Sequence, residues 1–506
     1  MKRPITERPI GVVARRAAQR WAACLAGLAA FAFALASPQA VIAQDTGAND
    51  LSIQWATRAA NEVLQTSDDA NRSPPPAFGD RKSYAIPALE IVGFNGLLNV
   101  YDRHVYGGDY QSTFSSIRRN LRGSWVVDSD PFHINQLYHP YQGAMYMGFA
   151  RSAGLDYWTS LGYTFAGSAM WEIAGETTPP SRNDLINTSL GGSFVGEALF
   201  RLASLVLEND HMPPFWRELS AAAISPSTGF NRWAFGDRFD AIFASHDPVY
   251  YSRLQLGAST ALQNESGASA ADTQRYEGLA DYSIDYGLPG KPGYTYHRPF
   301  DYFSLQATAS TANGFENLMT RGLLVGKDYG IGDAYRGIWG LYGSYDYFNP
   351  QTFRVASTAL SLGTTGQYWL DKSIAVQGTV LGGFGYAAVG TTDSTVDADY
   401  HYGLAPQALV QLRVIFGERA SFDVTGREYF VSRVAAADRG GHDNILRLDA
   451  SLTMRVYREH GVAIKYLANR RDAFYPDVGN SSQTRQTIGI FYVLLGHDRF
   501  GAVDWK

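Results

Sequence analysis

The second half of the sequence, from about residue 246 to residue 495, alternates apolar and polar residues in one segment after another. In residues 447–456, Arg447, Asp449 and Arg455 occupy odd positions, whereas Leu448 and Met454 occupy even ones. Successive side chains of a β-strand point to opposite faces, so this period of two predicts strands with one polar and one apolar face. Repeated segments of this kind, separated by Gly, Asn and Asp turns, predict an antiparallel transmembrane β-barrel.

About twelve such strands fit between residues 249 and 496, an even number as in single-chain bacterial barrels. In the segment 276–286, Glu277, Asp281, Ser283 and Asp285 would face the lumen, and the intervening apolar residues would face lipid. Charges on one face only are expected there, because Arg or Lys near the bilayer midplane costs about 2–4 kcal/mol. The last strand either continues to Phe500 or ends earlier, with the tail folding back.

The N-terminus has the features of a secretory signal peptide. A basic region is followed by the apolar run Trp21–Ala36 and by the small-residue cleavage site Val41–Ala43. We therefore divide the chain into a cleaved signal peptide (1–43), a polar lead and linker (44–83), a helical domain (84–245) and a barrel (246–506). The predicted fold class is α+β. After Ala36 no uninterrupted apolar run of 18 residues marks an obvious membrane helix.

Charge and cysteine content exclude two classes of partner and stabiliser. Removing residues 1–43 takes away six basic residues and one acidic residue, which moves the formal net charge from −5 to −10. This balance argues against a nucleic-acid partner. The only cysteine, Cys24, lies inside the signal peptide, so the exported chain would have no disulfide bond.

Between residues 84 and 207 the apolar period becomes helical, most clearly in 181–207. Gly192 and Gly196 leave a small face there, on which another helix could pack closely. Polar residues of the same region form one predicted structural cluster, because ionised groups in apolar helices must be paired or exposed. Its members are Asn135, His139, Arg151, Glu172, Glu176, Ser181, Asp184, Glu197 and Arg201.

The cluster allows two interpretations. In the structural one, Ser181 caps a helix, His139 begins another, and Glu172 pairs with Arg151 or Arg201. In the chemical one, His139, Glu172, Glu176 and Asp184 are acid–base groups. Glu172 and Glu176 share one helix face and could bind a cation with His133 or His139, but no HExxH or paired-cysteine spacing is present. We therefore predict neither a metal nor a cofactor.

Five motifs in one order resemble the bacterial family described as domain of unknown function 3943. They are Asn135–Gly143, Ala150–Gly154, Trp171–Glu176, Pro180–Asp184 and Gly191–Glu197. The resemblance covers roughly residues 84–240. It implies a protein of the Gram-negative envelope and assigns no catalytic residue.

These features together predict an outer-membrane β-barrel protein of a Gram-negative bacterium, in contact with membrane lipid. Its helical domain would lie in the periplasm, against the barrel or partly in the lumen. The favoured role is structural or transport-like, which makes an enzyme less favoured. The alternative is an envelope lipid- or glycan-modifying enzyme with its site in the helical domain. The two differ in whether the carboxylates meet His139 in a pocket or are neutralised by arginines.

Overall fold

The computed structural model describes residues 77–128, 130–266, 271–391, 400–432, 441–475 and 479–505. The predicted signal peptide (1–43), and the predicted lead as far as residue 76, lie outside the described residues. Within the described part, a helical domain precedes a β-barrel, as the sequence pattern predicts.

The described residues of the helical domain form eight α-helices. Their bounds are α1 Ala85–Val105, α2 Phe114–Asn120, α3 His139–Ser152, α4 Tyr157–Met170, α5 Arg182–Ile186, α6 Gly192–Leu207, α7 Pro214–Ile224 and α8 Pro226–Phe235. One short π-helical turn, Ile134–Tyr138, precedes α3, a second, Trp171–Gly175, follows α4, and a third, Asn187–Gly191, joins α5 to α6. The predicted helix at 181–207 is therefore α5 and α6 in near-continuous succession.

Twelve antiparallel strands close into one barrel, in which each strand pairs with its neighbours in sequence and β12 pairs with β1. The expected strand number and fold are confirmed. The bounds are β1 Tyr250–Ser266, β2 Ala271–Tyr286, β3 Phe303–Ser310, β4 Asn317–Ile331, β5 Tyr335–Phe348, β6 Phe353–Trp369, β7 Ile374–Thr391, β8 Tyr400–Phe416, β9 Ala420–Ser432, β10 His442–Tyr457, β11 His460–Tyr475 and β12 Gly479–Leu495.

Ion pairs that cross the lumen identify the inner face of each strand. Arg253 of β1 pairs with Asp423 of β9 at 3.0 Å, and Arg413 of β8 pairs with Asp285 of β2 at 3.0 Å. Because strand side chains alternate, residues one position away from these point outward. Exposed apolar side chains occupy outward positions on each of the strands β8, β10, β11 and β12, including Val410, Leu446, Leu452, Ile464 and Ile490.

Apolar layers fill the lumen above and below these charges. At the end with the shortest turns, the C-terminal tail folds back into the barrel after β12 ends at Leu495. There the carbonyl of Val503 accepts hydrogen bonds from Gln367 Nε2 at 2.8 Å and Trp369 Nε1 at 3.0 Å. Near the opposite end, Phe348, Val431 and Ile445 belong to a second buried layer. The tail therefore takes the second of the two expected courses.

The helical domain packs on the outer wall of the barrel rather than inside it. One hydrogen-bonded row of outward residues runs under the domain from β1 to β8. All members except Ala307 belong to, or pack against, the apolar core that also contains residues of helices α3 and α6. The members are Leu254, Tyr282, Ala307, Leu318, Tyr347, Ala356, Ala388 and Tyr402. The expectation of a partly lumenal domain is thus wrong, because the lumen is already filled by its own side chains.

The same contact corrects the environment expected for part of β2. Tyr282, Ile284 and Tyr286 point outward, as the alternation predicts, but they are buried under the helical domain instead of facing lipid. Alternation determines which face a residue takes, whereas the neighbour that covers that face depends on the tertiary fold.

Helices α3 and α6 cross at glycine positions. The Cα atoms of Gly143 and Gly192 face each other so closely that a Cβ built on Gly192 would lie 2.6 Å from the Gly143 Cα. Gly196 meets the backbone of Ala144 in the same way. Among the described residues, Arg182–Leu207 is the helical run long and apolar enough to cross a membrane, and most of it is buried.

Candidate functional site

The structure divides the predicted polar cluster into two separate groups. Arg151, Glu197 and Arg201 form one group, which faces the loop between β2 and β3. The other six residues lie nearer the opposite end of the domain, beside the first residues of β8. The two groups have different chemistry and are described in turn.

The arginine group is a buried ion-pair network. Glu197 accepts from Arg151 Nε at 2.6 Å and from Arg201 Nε at 2.9 Å. Arg201 also pairs with Asp301 at 2.8 Å, which joins α6 to the barrel. Both arginines are therefore engaged away from Glu172, and the predicted pairing of Glu172 with one of them is wrong. The network links α3, α6 and the loop between β2 and β3.

The second group brings three of the four candidate acid–base residues together. His139 is the first residue of α3, Glu172 lies in the π-turn after α4, and Asp184 lies in α5. One ligand atom from each residue lies within 4.8 Å of the others, and all three side chains are buried. We call these three residues the His–carboxylate site.

Local backbone structure holds each member in place. Ser181 caps α5 as predicted, since its hydroxyl accepts from the Asp184 amide at 3.2 Å. The Ser181 amide in turn donates to Glu172 Oε2 at 2.8 Å. His139 Nδ1 contacts the Thr188 hydroxyl at 3.3 Å. The segment between α4 and α5 therefore ties Glu172 to the helix that presents Asp184.

Amides surround the site and connect it to the barrel wall. Asn183 Nδ2 donates to Asp128 at 2.8 Å, to Asp184 at 3.1 Å and to the Tyr402 hydroxyl at 2.8 Å. Asn135 Nδ2 donates to the same Asp128 oxygen at 2.6 Å and to Tyr400 at 3.0 Å. The site thus lies where α3, α5 and the turn after α4 meet the start of β8.

Glu176 lies beside the site, but its two oxygens are engaged elsewhere. Oε1 accepts from the indole of Trp171 at 2.9 Å, and Oε2 accepts from the hydroxyl of Thr178 at 3.0 Å. Glu176 also lies outside the group of three that converges. We therefore assign it to the support of the turn rather than to the site.

Burial disfavours charge throughout the second group. It lowers the pKa of His139 to about 4 and raises the pKa of Glu172 well above its usual range, with Glu176 adding to the latter. Burial also raises the pKa of Glu176 to about 7, with Asp130 contributing. Unpaired carboxylates that are close together raise one another's pKa, which is a frequent feature of functional sites.

Two oxygen atoms in this region have unused hydrogen-bonding capacity. Within the part of the chain that the structure describes, Glu172 Oε1 and Asn135 Oδ1 are buried and accept no hydrogen bond. The same part contains no ion pair between a lysine or arginine and Glu172 or Asp184. Native proteins rarely bury acceptors in this way without a purpose, because each costs about 1–3 kcal/mol.

Several residues of the site were not selected from the sequence. Asn183, Thr188 and Tyr402 could have been found only through their neighbours, because single amides and hydroxyls carry no spacing signal. Asp301 lies 100 residues from Arg201 and belongs to a loop. The i,i+4 spacing of Glu197 and Arg201 was a usable signal for their pair.

Comparison with known families identifies the helical segment that builds this site. Residues 124–227 match the family model of a domain of unknown function, DUF3943. The expected resemblance is confirmed over these residues. The DUF3943 segment includes every residue of both polar groups except Asp301, Tyr400 and Tyr402. No curated protein matches the sequence.

Solved structures similar to this chain are outer-membrane barrels. The NanC porin is 10% identical with a TM-score of 0.22, covering 46% of this chain and 98% of its own. The channel DcaP of Acinetobacter baumannii is 7% identical with a TM-score of 0.22, covering 48% and 96%. The KdgM porin is 7% identical with a TM-score of 0.19, covering 46% and 98%. Scores this low carry no argument about function.

Proposed function

We propose that this protein is an outer-membrane enzyme that modifies an envelope lipid, with a closed barrel as its anchor and the His–carboxylate site as its reactive centre. The observation that carries the proposal is the buried convergence of His139, Glu172 and Asp184 without a neutralising arginine. If these residues only held the helices together, we would expect each carboxylate to be ion-paired with an arginine or lysine, as Glu197 and Asp301 are in the arginine group.

The barrel surface supports a position in a membrane. Apolar outward residues are exposed around β8 to β12, and the ion-paired residues Arg253, Asp423, Arg413 and Asp285 face the lumen. A lipid-facing band of this kind is required of a membrane barrel and would be a liability in water. An outer-membrane location is therefore part of the proposal.

Helix α1 supports a position of the helical domain in the same bilayer. Its polar residues Asn95 and Asp102 are buried against the domain, whereas Leu89 and Leu97 are 70% and 74% exposed. This distribution is the reverse of a water-soluble amphipathic helix. Lys82 precedes the helix and Arg103 lies in its last turn, and the 21 residues of the helix span about 31 Å, close to the thickness of a hydrocarbon core.

The row of outward barrel residues beneath the helical domain also extends over most of the thickness of a membrane. Seven strand-to-strand steps of about 4.8 Å, along a row inclined by about 35–45°, rise through about 20 Å. That is most of the roughly 25 Å apolar band of such barrels. The proposal therefore replaces the expected periplasmic helical domain with one that lies in the bilayer beside the barrel.

The position of the site along the barrel axis suggests which membrane leaflet it contacts. It contacts Tyr400 and Tyr402 at the start of β8, at the end opposite to the turns 332–334, 417–419 and 458–459, which have two or three residues. Short turns face the periplasm in bacterial barrels. The His–carboxylate site then lies toward the outer leaflet, and a lipid of that leaflet is the proposed substrate.

Cysteine labelling tests the position of the helical domain, because Cys24 is the only native cysteine. In outer membranes, Leu97→Cys should resist a membrane-impermeant maleimide, whereas the matched exposed position Asp109→Cys, beyond the apolar stretch, should react. Equal reaction of both variants would place α1 in water and remove the bilayer argument.

Lipid analysis tests the chemistry. Cells that express the wild-type protein should contain an envelope lipid of altered mass that is absent with His139→Ala or Glu172→Gln. The exposed histidine variant His211→Ala is the control and should behave as wild type. Identical lipid profiles for wild type and His139→Ala, with both proteins folded in the outer membrane, would reject the enzyme and leave the structural role.

A transport-like role has one specific observation in its favour. A central cavity of about 50 Å³ in the lumen, room for a few waters, is lined by five arginines and three aspartates. Arg321, Arg427 and Arg447 form no ion pair within the described residues, so the lumen is suited to small anions. Anion conductance in planar bilayers that falls in Arg321→Ala would favour this second candidate; no conductance would exclude it.

A further inference from the structure

We infer that His139, Glu172 and Asp184 bind one divalent transition-metal cation, for which Zn²⁺ and Mn²⁺ are the best candidates. The inference concerns the same site as the proposed function, but it is tested by binding alone. Three donors from three separate backbone segments converge on one buried point, which no hydrogen bond or helix contact by itself requires.

The donor set favours a first-row cation. Imidazole nitrogen suits Zn²⁺ and its neighbours, and carboxylate oxygen suits Mn²⁺ as well as Zn²⁺. One histidine and two carboxylates leave a coordination position open, as in catalytic zinc sites with three protein ligands. Because the ligand atoms lie within 4.8 Å of one another, small side-chain rotations bring all three to bonding distance of a shared ion.

Charge balance supports the same conclusion. A neutral histidine and two ionised carboxylates carry two negative charges, and no lysine or arginine of the described residues forms an ion pair with them. The carboxyl group of Asp128, which accepts from the same Asn183 amide as Asp184, adds to the negative charge around the site. Burying like charges without compensation is unfavourable, and a divalent cation offsets the two charges of its ligands.

The unused acceptors provide an independent observation. Glu172 is 2% exposed, and its Oε1 is without a hydrogen-bond partner among the described residues although Oε2 is held by the Ser181 amide. A carboxylate fixed by one oxygen and free at the other is oriented as a monodentate ligand. The Asn135 Oδ1 atom, also buried and unpartnered, belongs to the surrounding amide layer.

The surroundings resemble an outer shell that orients ligands. Thr188 contacts His139 Nδ1 at 3.3 Å, and Asn183 Nδ2 donates to Asp184 Oδ1 at 3.1 Å. Such contacts fix the tautomer and the direction of metal ligands, and their loss typically costs about 10–100-fold in affinity. Nδ1 of His139 is thus assigned to Thr188, which leaves Nε2 for the cation.

Metal content of the full-length protein tests the inference. Protein purified in mild detergent, treated with chelator and reloaded with Zn²⁺ or Mn²⁺ should bind one ion per chain. His139→Ala, Glu172→Gln and Asp184→Asn should each lose at least about tenfold in affinity. Glu176→Gln is the matched control, since it removes a buried carboxylate that lies outside the three, and it should keep wild-type affinity.

Cobalt provides a readout that a structural role would not change. Co²⁺ in the wild type should give a visible absorption band that alters in His139→Ala, where a nitrogen ligand is lost. Helical circular dichroism of every variant checks folding, and Asp184→Asn, which preserves shape, serves if His139→Ala does not fold. Wild-type protein that binds none of the three ions more tightly than Asp184→Asn would overturn the inference.

The binding experiment and the lipid experiment can contradict the cation site and the enzyme proposal independently of each other. Metal bound at one ion per chain with no change in envelope lipid would keep the cation site and remove the enzyme. A lipid change that depends on His139 in protein without bound metal would keep the enzyme and remove the cation.

Discussion

The glycine contact between α3 and α6 offers the most direct test of how the helical domain is built. A Cβ added to Gly143 would lie 1.8 Å from the carbonyl oxygen of Thr188, with the Cα of Gly192 3.1 Å away. Real Cβ contacts stay above about 3 Å, so Gly143→Ala must force the two backbones apart by about 1 Å. Neither neighbour can rotate away, because both are backbone atoms.

The expected cost follows from overpacking. Adding a methyl group to a closely packed core costs about 1–3 kcal/mol, and the backbone contact places this site near the upper end. Alanine in a helix recovers about 0.5–1 kcal/mol relative to glycine. We therefore expect Gly143→Ala to lower the free energy of unfolding of the helical domain by about 2 kcal/mol.

Gly162→Ala is the matched control, since Gly162 lies in α4 with nothing within 4 Å of its Cβ position. It should stabilise the domain by about 0.5–1 kcal/mol. The assay is resistance of the helical domain to protease across a urea series in mild detergent, with heat-modifiable gel migration to show that the barrel stays folded. A urea midpoint for Gly143→Ala at or above that of Gly162→Ala would refute the reasoning.

Three further predictions address the ion pairs, the buried acid and the tail. Glu197→Gln leaves two buried arginines short of a partner and should lower the free energy of unfolding by about 3–5 kcal/mol in the same urea assay; a loss below 1 kcal/mol would contradict it. The pKa of Glu176 is raised from 4.5 to about 7 in the folded state, so between these pH values the folded state binds more protons than the unfolded one. The free energy of unfolding should therefore fall as pH rises through that window, by at most about 3 kcal/mol. Glu176→Gln in chelator-treated protein should flatten this pH profile, and an unchanged slope would assign it to another group. Deleting residues 496–506 removes the Val503 contacts and should lower the temperature of the heat-dependent gel shift, whereas an unchanged temperature would show that the tail does not stabilise the barrel.

The barrel was predictable because its signal is local. A period of two places Asp281 and Asp285 inside and Ile284 outside regardless of the rest of the chain, and the structure agrees. The cover over Ile284 was not predictable, since outward apolar residues look the same whether lipid or a helix lies against them. For the same reason the exposed apolar face of α1 was not predictable: Asn95 and Asp102 interrupt its apolar run while facing the protein.

The residues of the His–carboxylate site could be predicted from the sequence, but their convergence could not. His139, Glu172 and Asp184 stood out as polar residues in apolar helices, but their convergence depends on the turn between α4 and α5, which reverses the chain over a few residues. The partners of Arg201 were assigned wrongly because Glu172 and Glu197 are equivalent candidates by composition. The i,i+4 spacing of Glu197 and Arg201 on α6 favours the pair that forms, and the crossing of α3 and α6 at Gly143 and Gly192 brings Arg151 to the same carboxylate.

The row of outward residues that runs beneath the helices has a consequence for how the chain is made. The helices are synthesised first, yet the wall on which they rest is complete only when β8 has joined the sheet. Until then, both the face that will meet the barrel and the apolar face of α1 are without their final contacts. We therefore expect such a chain to need a holding chaperone in transit, and we expect insertion of the strands and docking of the helices to form one cooperative step.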